Sequence, residues 1–247
     1  MSYQGGREME FRSRTRCCPT SFTGSFFTAL ALFVLVLFLA VNSFAGYSKQ
    51  EALLDEARIT FKRCVADPNM QWFRDHLKNA KGLLIFPSFL KGAFFIGAEG
   101  GTGVLVAQDE RTGEWSQPVF YSMGAASFGL QFGAKSAEMV LMIMTDKGMD
   151  AMLSTSLKLG ADASIAAGPV GVGAKAETVD ILAFSRGQGL FGGISIEGTV
   201  IMPRDDWNRD FYGKDVRPVD IIVRKAVYNP KARPLIDTIT SVIKGNL

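Results

Sequence analysis

Residues 158–198 read KLGADASIAAGPVGVGAKAETVDILAFSRGQGLFGGISIEG, small residues and glycine alternating with apolar ones between turn residues. The pattern predicts consecutive β-strands over 164–167, 170–176, 179–185 and 190–198. Gly168-Pro169, Glu177-Thr178 and Arg186-Gly187-Gln188 separate them, and connections this short join antiparallel neighbours in a meander. Glycine and alanine inside strands leave little side chain to pack, so a helix, another strand layer or a ligand must approach the sheet closely.

Outward from this stretch toward the C-terminus, 205–213 (DDWNRDFYG) is polar but carries three aromatics, which suits a segment anchored to the body of the domain. Residues 218–225 suit a last strand or helix. Leu235, Ile239 and Val242 then mark a closing amphipathic helix over 234–244. Toward the N-terminus, Asp146 is expected to cap a short helix through Leu153, and the apolar run 137–145 to form a buried strand. Further strands are expected at 119–123 and 127–131, with a polar turn at 109–114. Gly82 to Phe86 reads as a strand ended by Pro87; 93–97 and 103–107 continue the pattern around a Gly-rich bend at 99–102. Ser88 to Gly92 between them is expected to be a loop tip carrying Phe89, Leu90 and Lys91. Ahead of these strands, SKQEALLDEARITFKRCV (48–65) spaces Leu53, Ala57, Phe61 and Val65 four apart, with Ser48 as N-cap and Glu51 as its capping partner. A second helical stretch follows over 70–79. Both helices are expected to cover an open face of the sheet.

The fold class expected is therefore α+β, an antiparallel, strongly curved sheet or partial barrel covered by N- and C-terminal amphipathic helices. Residues 26–41 are apolar, preceded by Arg7, Arg12, Arg14 and Arg16 and followed by Ser43-Phe44-Ala45-Gly46, which predicts a cleaved secretory signal over 1–45. A single domain over 46–247 is then periplasmic or secreted. The alternative is an uncleaved anchor holding it at the inner membrane, since about 17–25 apolar residues span a bilayer. Beyond Gly46 the charges nearly cancel, because removing four Arg and two Glu from 27 basic and 24 acidic residues leaves 23 against 22. That balance offers no nucleic-acid footprint.

Catalytic chemistry finds little support. Gly187-Gln188-Gly189-Leu190-Phe191-Gly192 matches G-x-G-x-x-G, yet the residues after it read as a strand and not as the helix whose N-terminus would receive a pyrophosphate. His76 is the only histidine, expected to face water, and no serine sits in G-x-S-x-G. Cys64 alone remains beyond the leader, so neither an internal disulfide nor a Cys-based metal cage is expected there. Glu99, Glu138, Glu177 and Glu197 stand among small residues and are expected to point outward, although paired carboxylates such as Glu99 and Glu197 would suit acid–base work. No cofactor and no metal is expected.

Several pieces together resemble the SYLF family, also called the Las seventeen-binding or actin-regulator domain: AKGLLIFP (80–87), GAEGGTGVL (97–105), WSQP (115–118), GLQFG (129–133), AGP (167–169), GLFGGISIEG (189–198) and NRDFYG (208–213). The resemblance runs from about Glu51 to Leu235. It implies a lipid-binding domain, since eukaryotic members meet phosphoinositide-bearing membranes through an N-terminal amphipathic helix and some bind actin, while bacterial members are secreted or envelope proteins. It supplies no catalytic residue. The chain has a leader and a first helix that is not strongly basic, so the expectation is a non-enzymatic, lipid- or membrane-surface-binding domain of the bacterial envelope. Arg58, Lys62, Arg63 and Lys91 are expected to meet anionic headgroups, and Leu53, Phe61, Phe89 and Leu90 acyl chains. An envelope protein is the alternative partner, and actin is not expected as one.

Overall fold

Gly82-Leu83-Leu84-Ile85-Phe86 is apolar without a break because both of its faces are buried. In a computed structural model of the chain it opens strand β1 (Gly82–Phe94), where Leu83 and Ile85 enter one core and Leu84 and Phe86 another. Residues 47–94, 96–128, 133–168, 179–186 and 198–245 are described, with backbone alone at 91–94, 96–99, 125–128 and 133–135, and all lie in the unit Tyr47–Leu247. The leader at 1–45, the strand at 170–176, the G-x-G-x-x-G turn and most of 190–198 lie outside the described residues.

The remaining strands are β2 (Ile96–Ala107), β3 (Val119–Phe128), β4 (Gly133–Ile143), β5 (Leu157–Lys158), β6 (Ile165–Ala167), β7 (Ile181–Arg186) and β8 (Val200–Pro203). They form one curled sheet in the order β5-β8-β3-β2-β1-β4-β7-β6, antiparallel except at β6–β7. The α+β, curved-sheet expectation is met, and among the described residues the longest pairing lies in β1 to β4. A simple meander there is overturned: β6 bonds directly to β7 in parallel, Ile165 opposite Ile181. Asp180 joins the two segments. Its carboxylate accepts from the Ser164 N–H and hydroxyl at 2.8 and 2.7 Å and from the Thr145 hydroxyl at 2.6 Å. Burial alone would raise this carboxyl's pKa, but those bonds hold it well below the usual carboxylate range.

Pro87 does not end β1. Phe86 and Phe89 enter the same core although three residues apart, because β1 carries one extra residue between them. Ile85 to Ser88 opposes only Val104 to Thr102 on β2, and Phe86 to Phe89 only Met139 to Ala137 on β4. Such a bulge tolerates a proline, which has no N–H for the ladder. It also brings backbone against β2: a Cβ at Gly101 would sit 2.5 Å from the Ser88 carbonyl oxygen, and one at Gly103 2.7 Å from that of Ile85. The bend expected at 99–102 is therefore continuous strand, and its glycines serve close approach instead of turning. Likewise 119–123 and the start of 127–131 are one strand, β3.

Helix α1 (Lys49–Ala66) starts as expected, with the Ser48 hydroxyl accepting from the Glu51 N–H at 3.1 Å and donating to its carboxylate at 3.0 Å. Next comes α2 (Gln71–His76), flanked by short 3-10 turns. The helix α3 (Asp146–Met152) is capped by Thr145 and not by Asp146, the Thr145 hydroxyl accepting from the Gly148 N–H at 3.1 Å. The polar stretch expected at 205–213 is α4 (Asp205–Tyr212), stopped by Gly213 at φ 66°. It is followed by α5 (Pro218–Ile222) and α6 (Arg233–Ile243). One core lies beneath α1, α2, α4 and α6; the other is closed by Met152, Leu157, Val216 and Ile221.

Candidate functional site

Helix α1 spends its apolar face on the sheet. Leu53 and Phe61 are buried there, and Phe89, 1% exposed, enters the core on the opposite face. The loop tip expected at Ser88 to Gly92 is thus corrected: the bulge turns Phe89 inward, and these three side chains belong to the cores. Leu90 alternates to the face that α1 covers and is 57% exposed. It lies opposite Ser136, two residues along β4 from Glu138. Glu138 in turn accepts from Arg63 at 2.6 Å and Arg186 at 3.3 Å, while Arg186 reaches Asp67 at 3.2 Å. Leu90 and the C-terminal end of α1, with exposed Lys62 and Arg63, therefore share one face of the sheet. Arg58 lies a turn earlier, paired to Asp55 at 3.3 Å. Lys91 follows in β1, opposite Glu99 and Lys135, its side chain not described.

Beside this end of α1 lies a shallow notch of about 200 Å³ whose apolar walls are Val65, Leu77, Val242 and Ile243 and whose charged groups are Arg74 and exposed Lys78. No carboxylate lines it. Arg74 is a cap, donating to the Val65 carbonyl at 3.1 Å.

The carboxylate pair Glu99 and Glu197 is not assembled among the described side chains; Glu177 is also outside them, and Glu138 is engaged by two arginines. His76 is half-buried instead of facing water, stacked at 3.8 Å on Trp72 with Nδ1 2.9 Å from the Trp72 carbonyl. Burial pushes the Cys64 thiol up to about 12, with Glu138 adding to the rise, which makes it a poor nucleophile. Among the described residues no group of His, Cys, Asp and Glu side chains is placed to hold a metal, and no helix is long and apolar enough to cross a membrane.

A second surface went unnoticed in the sequence. The β2–β3 connection and the chain after α5 enclose a cleft of about 530 Å³. Its walls are tied by Lys225 to Asp109 at 2.6 Å and by the Asn229 N–H to Gln117 Oε1 at 2.9 Å. The Lys225 ammonium, then the Thr112 and Arg111 N–H groups, bring the Asp109 carboxyl down to about 2. Trp115 and Ile221 form buried wall, while Val223 and Tyr228 stand 59% and 65% exposed at the rim. The one available signal was WSQP, whose role is to brace this wall: the Ser116 hydroxyl accepts from the Ala107 N–H at 3.0 Å, and the Pro118 carbonyl accepts from the Tyr212 hydroxyl of NRDFYG at 2.6 Å.

The model of the family described as Las17-binding protein actin regulator matches residues 124–242. Protein YSC84 of Saccharomyces cerevisiae is 32% identical over 173 residues, 67% of this chain and 36% of that protein. LAS seventeen-binding protein 3 of the same yeast is 34% identical over 178 residues, 68% of this chain and 38% of that protein. The human SH3 domain-containing YSC84-like protein 1 is 31% identical over 152 residues, 59% of this chain and 44% of that protein. The chain thus spans less than half the length of these relatives. No solved structure matches it significantly. The relatives are named for binding and regulation, and with actin in the family's description the expectation that actin is not a partner is not borne out.

Proposed function

The chain belongs to the Las17-binding protein actin regulator family, the SYLF family that its motifs resemble, and from that premise we propose that it is a non-enzymatic module that docks on anionic membrane surfaces. The observation carrying this reading is the shared face of Leu90 and the end of α1, one exposed apolar side chain on the side of the sheet where exposed Lys62 and the Glu138-paired Arg63 stand. The carboxylate-free notch with Arg74 and Lys78 extends that surface. An envelope location belongs to the same reading and rests on the apolar run at 26–41.

Co-sedimentation of residues 47–247 with phosphatidylglycerol–phosphatidylcholine vesicles tests it. Binding is expected to weaken with salt and to fall about tenfold in Leu90→Ser/Lys62→Glu, each near-surface cation contributing on the order of 1 kcal/mol. Equal binding to pure phosphatidylcholine, or an unaffected double variant, would sink it. A second reading, a protein-interaction module in keeping with the family's description as an actin regulator and with the name of LAS seventeen-binding protein 3, is favoured by the cleft with its exposed Val223 and Tyr228.

A further inference from the structure

His76 is the only histidine in the chain. Histidine is the side chain whose ordinary titration falls between about pH 5 and 8. Other groups that could change charge are held outside that window: Cys64 and Tyr47 are pushed up to about 12, the first by burial and the second by its hydrogen bond to Asp55. Asp109 and Asp206 are brought down to about 2 by Lys225 and Arg204. A change of side-chain charge near neutral pH therefore points to one residue.

The geometry around His76 lets it gain a proton without repacking. Its ring lies parallel to the Trp72 indole, 3.8 Å away at an interplanar angle of 9°, and Trp72 stacks in turn on Phe184 of β7 at 5.9 Å. The Trp72 carbonyl, 2.9 Å from Nδ1, can only accept, so Nδ1 carries a proton in both charge states and Nε2 is the atom that titrates. The hydrogen bond survives protonation, and the imidazolium then rests on an indole face, which attracts cations.

His76 also stands at the surface assigned to membranes. Its chain neighbours Leu77 and Lys78 line the notch at the end of α1. Most charged groups around it are engaged. Arg74 on its own helix donates to the Val65 and Asp67 carbonyls. Asp67, between α1 and α2, holds Arg186 of β7, and Arg186 shares Glu138 with Arg63 of α1. The groups left without an ion pair among the described residues are exposed Asp75 and Lys78 beside it, Lys62 on α1 and Lys244 after α6. One carboxylate against three ammonium groups leaves this end of the molecule positive, and a proton on Nε2 adds to it.

We propose that His76 is a pH sensor for docking: protonated, it adds a cation beside Lys78 and the notch, and the affinity of the chain for anionic membranes rises as pH falls through the histidine range. The proposal rests on the membrane reading. An anionic bilayer carries a negative surface potential that concentrates protons as well as basic side chains, so surface and sensor act in the same direction.

Two measurements on the compact unit Tyr47–Leu247, which contains all the described contacts, test it. The first needs no membrane: a protonated imidazole against an indole quenches its emission, so tryptophan fluorescence should step down between about pH 8 and 5, and His76→Gln should abolish the step. The second is co-sedimentation with phosphatidylglycerol–phosphatidylcholine vesicles. Binding should tighten about three- to fivefold from about pH 7.5 to about pH 5.5 in wild type and stay level in His76→Gln. His76→Lys, a fixed cation, should bind at the higher pH as wild type does at the lower. No fluorescence step, or the same step in His76→Gln, would overturn the titration. Vesicle binding that is level with pH in wild type, or that tightens equally in His76→Gln, would overturn the sensor while leaving the membrane reading intact. Absence of binding at every pH would overturn both, and a fluorescence step that persists would then assign the failure to docking and not to the histidine.

Discussion

Gly103 and Asp180 show how single residues are committed by their neighbours. At Gly103 any Cβ meets the Ile85 carbonyl at 2.7 Å and the Phe86 ring at 2.6 Å, and the carbonyl belongs to the bulge and cannot swing away. Gly103→Ala is expected to destabilise the fold by about 1–3 kcal/mol, read as a lower urea midpoint with unchanged slope. Asp180 accepts from two hydroxyls and a backbone N–H, and Asp180→Asn turns one acceptor into a donor facing donors. A loss of about 1–3 kcal/mol at neutral pH is expected. The sign of the pH effect follows from the depressed carboxyl: its contribution is complete above the unfolded carboxylate value of about 3.9 and is lost as pH falls through the lower folded value. Wild type should therefore begin to lose its advantage over the asparagine variant below about pH 4 and converge on it only in stronger acid, and urea titrations from neutral pH to about pH 3 should show the onset of that loss. None of this was visible from glycine content or from an Asp after Val179, because both roles are set by atoms distant in sequence.

At the scale of elements, α4 explains why NRDFYG has the residues it has. Asn208 is fully buried, and its Oδ1 accepts from the Phe120 N–H at 2.9 Å, continuing the sheet ladder with a side chain. Phe211 packs edge-on against Phe120 at 5.2 Å, and Tyr212 bonds the Pro118 carbonyl. Asn208→Ala leaves a buried N–H without a partner, so a loss of about 1–3 kcal/mol is expected by thermal or urea denaturation. Leu→Ala-sized damage without any change in vesicle binding would mark this motif as scaffold. The helices α1 and α6 were foreseeable because their apolar spacing and, for α1, its Ser48 cap are local signals. β1 was mistaken at its middle because Pro87 is a stop in most strands, and only pairing on both sides shows the extra residue that accommodates it.

At the scale of the whole molecule, two separate surfaces lie on one domain. The end of α1 places exposed Lys62, and Arg63 paired to Glu138, on the same face of the sheet as Leu90, and the cleft after α5 places Tyr228 near the Lys225–Asp109 pair. Of the residues expected to touch lipid, those with the largest apolar side chains, Phe61 and Phe89, went to the cores, because burying an aromatic ring stabilises the fold more than any loop conformation would. Leu53 followed them, while Lys62, Arg63 and Leu90 stayed exposed. The sequence by itself determined the class of fold, the covering helices and the family, since each is written in local spacing or in short motifs. Tertiary structure alone decided the strand order, the parallel β6–β7 pair, the inward turn of Phe89 and the existence of the cleft. These depend on which distant backbone groups pair and which side chains that pairing brings face to face, and neither is encoded in any one stretch of chain.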